Sequence, residues 1–159
     1  MSKKDKIHVV SRAVIMDKDH ILVCKTCDLP VPFYFLPGGH VEHGESAEQA
    51  ILRELLEETG KKFNVKRFLG CLEYSFEPGY SSICHNHEYN FIFEVDTPLK
   101  FGDSLPKLEA HIELMWLPLS TIGNIDFRAE PLQNLIPKWL KTDASHVFSS
   151  EMYENNRNG

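Results

Sequence analysis

Residues 39–60 read Gly39-His40-Val41-Glu42-His43-Gly44-Glu45-Ser46-Ala47-Glu48-Gln49-Ala50-Ile51-Leu52-Arg53-Glu54-Leu55-Leu56-Glu57-Glu58-Thr59-Gly60. A glycine-rich loop runs into a helix that carries too much negative charge on one face. At about 100° per residue, Glu57 falls near −60° and Glu58 near +40° from Glu54, so three carboxylates share an arc of about 100°. Leu52, Leu55 and Leu56 fall on the opposite side and are expected to face a core. Ser46 with Gln49 makes a capping box, which starts the helix where the loop ends. Gly60 stops it.

Like charges three and four residues apart destabilise a helix by roughly 0.2–0.5 kcal/mol per pair. Arg53, the i, i+4 partner of Glu57, is the neighbouring cation close enough to help. The cluster therefore asks for a cation from outside the chain. Mg²⁺ is the simple choice, because it takes hard oxygen ligands and keeps waters and substrate phosphates in its shell. A solvated acidic helix face is the plain alternative. Pro37, Gly38, Gly39 and Gly44 let backbone approach a ligand closely, and loop carbonyls there can add oxygen ligands.

The segment resembles the Nudix box. That signature is a Gly, five residues, a Glu, seven residues, then Arg-Glu, an aliphatic residue, any residue, Glu-Glu, any residue, Gly and an aliphatic residue. Here the positions read Gly39, Glu45, Arg53, Glu54, Leu55, Glu57, Glu58 and Gly60. Lys61 stands at the last, aliphatic position, a departure that touches packing at the helix exit. The fixed positions would recur by chance on the order of once in a million chains. Looser similarity runs from the first strands to Trp116-Leu117-Pro118-Leu119.

The resemblance implies an α/β fold of α+β type: an α/β/α sandwich with a mixed, partly antiparallel central sheet. It implies metal-dependent hydrolysis of the pyrophosphate bond of a nucleoside diphosphate linked to another group X, by in-line attack of water. A nucleoside triphosphate, ADP-ribose, a nucleotide sugar and a dinucleoside polyphosphate are all candidates. Glu54 and Glu58 are implied as the main ligands of Mg²⁺ or Mn²⁺, with Glu57 completing the set. The carbonyl of Gly39, or alternatively of Gly38, is a further ligand. Arg53 is implied to orient carboxylates, with Glu45 as its structural partner, while Glu42 is a weaker metal candidate and Gly60 is structural. The general base is a box glutamate in some members and a glutamate on a later loop in others. Glu109 and Glu113 are the later candidates here. A pair similar to His87-Glu88 occurs at this place in many small members, which implies His87 and Glu88 as residues bordering the substrate cleft, with a polar pair that merely opens a strand as the plain alternative. The alternative is a Nudix-fold nucleotide sensor without catalysis, although sensors typically lose box glutamates and this chain keeps them. A third reading is another reaction on the same fold, such as isomerisation of a prenyl diphosphate.

Length and composition fit that picture. A chain of 159 residues is expected to form one domain, 7–140, flanked by a flexible N-terminus 1–6 and a polar tail 141–159. A net charge of −6 offers no global attraction for nucleic acid. No apolar run suits a signal peptide or a membrane span. Four cysteines without secretory context point to a reduced cytoplasm. A homodimer is left open. Cys24-Lys25-Thr26-Cys27 and Cys84-His85-Asn86-His87 hold zinc-type ligands, but reduced cysteines and surface histidines are the expected reading. Phe33, Tyr34, Tyr80 and Trp116 are available for stacking on a base, with core packing or turn use the commoner role.

Along the chain, Ile7–Met16 and Ile21–Cys24 are expected to form a hairpin about the turn 17–20. Cys27–Phe33 is expected as a loop, Tyr34–Leu36 as a short strand and Ala47–Thr59 as the box helix. Phe63–Phe76, Tyr89–Val95 and Ile112–Leu117 read as strands, the first alternating at Phe68, Cys71 and Tyr74. Glu77–Tyr80 is a turn, and Thr97–Lys107 is a loop. Leu119–Ile122 reads as a helical turn and Leu132–Leu140 as a second helix with Pro131 in its first position. From Lys141 the tail is expected to fray.

Overall fold

The computed structural model describes residues 6–75, 87–107, 110–142 and 148–152. The expected turn at Glu77–Tyr80 lies outside them. The first strand region is divided. Strands β1 (His8–Val14) and β2 (Met16–Asp17) are separated at Ile15, whose carbonyl accepts from Leu22 N at 2.9 Å. Only β2 forms the hairpin with β3 (His20–Thr26), so the expectation of one long hairpin is corrected. Lys18 at φ 48° and Asp19 at φ 62° supply the two positive φ angles that a tight two-residue hairpin needs. At Ile15 the chain passes from one sheet to another.

Strand β4 (Tyr34–Phe35) and β5 (Gly38–His40) lead to helix α1 (Ala47–Thr59). Strands β6 (Asn64–Ser75), β7 (His87–Asp96) and β8 (Ile112–Pro118) follow, then a 3-10 turn over Leu119–Asn124. Strand β9 (Phe127–Arg128), helix α2 (Leu132–Leu140) and strand β10 (Phe148–Glu151) complete the described order. Pro131 caps α2 in helical geometry, just before its first residue. The frayed tail is corrected in part: Phe148–Glu151 pairs in parallel with Cys71–Tyr74.

One sheet has the order β10-β6-β7-β1-β5, with β10/β6 and β7/β1 parallel and the other pairs antiparallel. The second runs β2-β3-β4-β9, with β8 antiparallel to β3. Strand side chains alternate between faces, and two cores result. Ala13, Ile15, Leu22, Phe93 and Val95 meet Ile51 and Leu55 of α1. Val14, Ile21, Val23, Ile92, Leu69 and Leu72 meet Leu132, Ile136 and Trp139 of α2. Helices therefore cover the strands from two sides, in the α/β/α layering and with the mixed pairing expected.

Two core expectations are corrected. Leu56 is 45% exposed, while Ala50, Ile51, Leu55 and Thr59 are buried. The buried arc centres about 100° from Glu54 instead of opposite it, so Glu58 lies at the margin of the core. In β6, register shifts at Val65/Arg67 and Phe68/Gly70 break the alternation. They turn Leu69 and Leu72 inward and leave Phe68 43% exposed.

Candidate active site

Helix α1 starts and stops by local chemistry. Gln49 N donates to Ser46 Oγ at 3.0 Å and Ser46 N to Gln49 Oε1 at 2.8 Å, closing the capping box. Gly60 ends the helix at φ 72°, its N–H bonded to Leu56 O at 2.8 Å. Between these ends, Arg53 joins the loop to the helix. Its Nε and Nη2 form a two-pronged pair with Glu45 at 3.1 and 2.8 Å, and Nη2 also donates to His40 O at 3.1 Å. Its Nη1 donates to Glu54 Oε1 at 3.1 Å and Glu57 Oε2 at 3.5 Å, and lies 3.7 Å from Glu42 Oε1. The guanidinium holds the Glu45 carboxyl below the usual carboxylate range, helped by Glu42 N at 2.8 Å. The same carboxylates, Glu45 foremost, push the pKa of Arg53 further up. Arg53 is thus committed to the chain itself.

Glu54, Glu57 and Glu58 line one cleft of about 230 Å³. Cys24, Phe35, Ile112 and Leu114 of the second sheet line it as well, with Gly38 and Pro106 completing the lining. The lining is part anionic and part apolar. Among the carboxylates Glu54 is the more enclosed, with 19% of its side chain exposed against 61% for Glu57. Oε2 of Glu58 is out of contact with solvent.

Backbone geometry separates the two glycine carbonyls. Ala13 N bonds to Pro37 O and Val41 N to Val9 O, each at 2.9 Å. In an antiparallel pair, hydrogen-bonded partners alternate with non-bonded ones. The intermediate pair Ser11/Gly39 is then in the bonded phase, turning the Gly39 carbonyl toward β1. The carbonyls of Gly38 and His40 turn the other way, and His40 O indeed meets Arg53. Gly38, which lines the cleft, is the glycine whose carbonyl points outward from β1.

The donors in the cleft are carboxylate and carbonyl oxygens, a set suited to a hard divalent cation. Among the described residues no three His, Cys, Asp or Glu side chains are already gathered as a metal site. Arg53 draws oxygens of Glu54 and Glu57 to itself.

The other sequence candidates fall elsewhere. Glu113 sits between the cleft residues Ile112 and Leu114, so its side chain emerges on the opposite face of β8. There it lies 3.8 Å from Lys25 Nζ. The structure does not bring it to the carboxylates. Glu109 lies outside the described residues, as do Tyr80, Cys84, His85 and Asn86. His87 and Glu88 open β7 and are not among the described residues that line this cleft; Glu88 accepts from Asn90 Nδ2 at 3.0 Å. Cys24 is buried in the cleft wall whereas Cys27 is exposed. Tyr34 packs on the α2-side core and Trp116 on the α1-side core. Cys24, Phe35 and Leu114 were missed because apolar strand residues read as core. Their shared row becomes visible only through the register Leu114–Cys24–Phe35.

The NUDIX domain family model matches residues 6–139, and the chain belongs to that family. An ADP-ribose pyrophosphatase of Methanocaldococcus jannaschii is 38% identical over 103 residues, 60% of this chain and 56% of that protein. The matched segments take in 30% to 56% of the length of the curated relatives. A solved NUDIX hydrolase from Nitrosomonas europaea is 25% identical with a TM-score of 0.68, covering 85% of this chain and 89% of that one. A UDP-X diphosphatase structure superposes with a TM-score of 0.69 at 19% identity, over 91% of this chain and 68% of that one, a likeness of fold. Among the described residues no helix is long and apolar enough to cross a membrane.

Proposed function

We propose that this chain is a pyrophosphohydrolase that cleaves the diphosphate of a nucleoside diphosphate derivative with Mg²⁺ or Mn²⁺. The observation that carries the reading is the cleft that Glu54, Glu57 and Glu58 line together with Cys24, Phe35 and Leu114. A nucleoside diphosphate has the matching character, anionic at one end and flat and apolar at the other. The name of the Methanocaldococcus jannaschii relative is consistent with this class of substrate.

Oxygens of Glu54, Glu57 and Glu58, with the outward carbonyl of Gly38, would hold the cation. Bound there, it offsets phosphate charge and lowers the pKa of a coordinated water. Arg53 keeps Glu54 and Glu57 in place by hydrogen bonds and ties α1 to the loop through Glu45 and His40 O. Cys24, Phe35 and Leu114 offer such a substrate an apolar surface, so the protein would act mainly by positioning and charge compensation. Glu109 is the remaining later-loop candidate for the general base. The thiols of Cys27 and Cys71 suit a reducing cytoplasm.

The test is phosphate release across nucleoside triphosphates, ADP-ribose, nucleotide sugars and dinucleoside polyphosphates, with and without Mg²⁺ or Mn²⁺. Cleavage that needs metal and is lost in Glu58→Gln supports the reading. Saturable binding of one compound with no turnover of any would establish a sensor instead.

A further inference from the structure

We propose that Arg128 reads the heterocycle at the end of the cleft away from the glutamates, and that it favours a keto purine of the guanine type over an amino purine. The inference rests on the reading that this cleft holds a nucleoside diphosphate derivative, and it specifies the base.

The register of the second sheet carries the argument. Leu114 pairs with Cys24, Cys24 with Phe35, and Phe35 with Arg128. Partners in register project to the same face of a sheet. The row Leu114–Cys24–Phe35–Arg128 therefore shares one face, and its first three members line the cleft. Arg128 extends that apolar row with a cation at the β9 edge.

The chain runs from Phe33 through β4 (Tyr34–Phe35) to Gly38 at the start of β5. Gly38 and Phe35 line the cleft with the carboxylates, and Phe33 lies two residues before Phe35, on the side of the chain away from Gly38. The Phe33 and Phe35 ring centroids are 5.8 Å apart. The Arg128 guanidinium lies 4.0 Å over the Phe33 ring. Its Nε and Nη2 donate to Asp126 Oδ1 and Oδ2 at 3.3 and 3.4 Å. Stacking and pairing set the plane of the fork. Neither bond to Asp126 uses Nη1, and 40% of the side chain is exposed.

A planar, pre-oriented guanidinium matches two adjacent acceptors, and the O6/N7 edge of guanine presents such a pair. Adenine offers N7 beside the N6 amino donor, which meets the guanidinium donor against donor. Phe35 and the adjoining apolar row supply a surface that any base can stack on, so it does not discriminate. Arg12 also lies over the Phe35 ring, 5.8 Å from its centroid, but its Nη1 donates to Leu36 O at 3.1 Å, so selectivity is assigned to Arg128.

The experiment measures binding of GMP and AMP in Mg²⁺ by calorimetry, beside kcat/KM for GTP and ATP, in the wild type, Arg128→Ala and Arg128→Lys. The wild type is expected to bind GMP about ten- to hundredfold more tightly than AMP. Arg128→Ala is expected to remove that preference while leaving AMP affinity within about twofold of wild type, because the stacking surface remains. Arg128→Lys keeps the charge without the fork and is expected to lose selectivity as well. Equal or inverted preference in the wild type overturns the proposal. So does absence of measurable binding of both nucleotides, an equal loss of both in Arg128→Ala, or wild-type selectivity in Arg128→Lys. If no nucleoside triphosphate, ADP-ribose, nucleotide sugar or dinucleoside polyphosphate is hydrolysed but the preference for GMP stands and depends on Arg128, the hydrolase reading fails and this one survives.

Discussion

A Cβ placed on Gly39 would lie 2.5 Å from Oε1 of Glu54. A methyl group there must displace the Glu54 carboxylate, the far end of a flexible side chain, and meets no backbone among its nearest atoms. Gly39→Ala is expected to push Glu54 out of the cleft while the sheet and α1 persist. A displacement of about 1 Å at a reacting centre can cost roughly a hundredfold in rate, and a loss of that order in kcat is expected. Far-UV circular dichroism should stay unchanged. Wild-type turnover in Gly39→Ala would show that the position of Glu54 does not matter.

Glu58 lies at the margin of the α1-side core, with Oε2 out of contact with solvent. Glu58→Gln keeps the shape and removes the charge, so packing should survive. Turnover should fall by orders of magnitude, and Mn²⁺ affinity, read by titration of the ion's paramagnetic signal, should weaken. Activity near wild type would exclude Glu58 as a metal ligand.

The site was legible in part, and the reason is the range over which its signals act. Capping at Ser46 and Gly60 is local, so the helix bounds Ala47–Thr59 are written in the sequence itself. Acidic periodicity on the helix is local too. Ile15 is different: no residue pattern marks where a strand leaves one sheet for the next, and Ile15 is as apolar as its neighbours. The placement of Glu113 depends on whether odd or even residues of β8 face α1, which only the pairing with β3 decides. Leu56 was misplaced by assuming the core opposite the carboxylates, whereas the structure seats the box glutamates beside it.

The Glu45–Arg53 pair gives a pH dependence with a definite sign. Hydrogen bonds from Arg53 and from Glu42 N hold the folded-state pKa of Glu45 below its ordinary value. The unfolded chain therefore binds a proton at this site before the folded one does, as pH falls. The stabilisation is fully present above the ordinary glutamate pKa of about 4.3 and is lost as pH drops through the lowered folded value. Glu45→Gln should unfold at a lower temperature than wild type near neutrality. The gap should close progressively as thermal unfolding is repeated below about pH 4. A gap that widens on acidification would contradict the assignment.

Gly70 in β6 sits against the indole of Trp139, and a Cβ there would lie 2.7 Å from its Cε3. Trp139 is fully buried and anchors α2 to the first sheet. The helix is also held at its C-terminal end by Arg67, which donates to Leu140 O at 3.2 Å and Thr142 O at 2.9 Å. That tie limits how far α2 can back away from an added methyl group. Overpacking of a well-filled core costs typically about 1–3 kcal/mol. In a domain of this size that corresponds to a fall of several degrees in Tm. Gly70→Ala should therefore lower Tm while leaving kcat near wild type below the transition, because the clash lies on the α2 side and the carboxylates lie on α1. In Gly70→Ala combined with Trp139→Phe the smaller ring makes room, and the penalty for alanine should shrink relative to Trp139→Phe alone. An unchanged penalty in that double-mutant comparison would place the cost in the β6 backbone and not in contact with the indole.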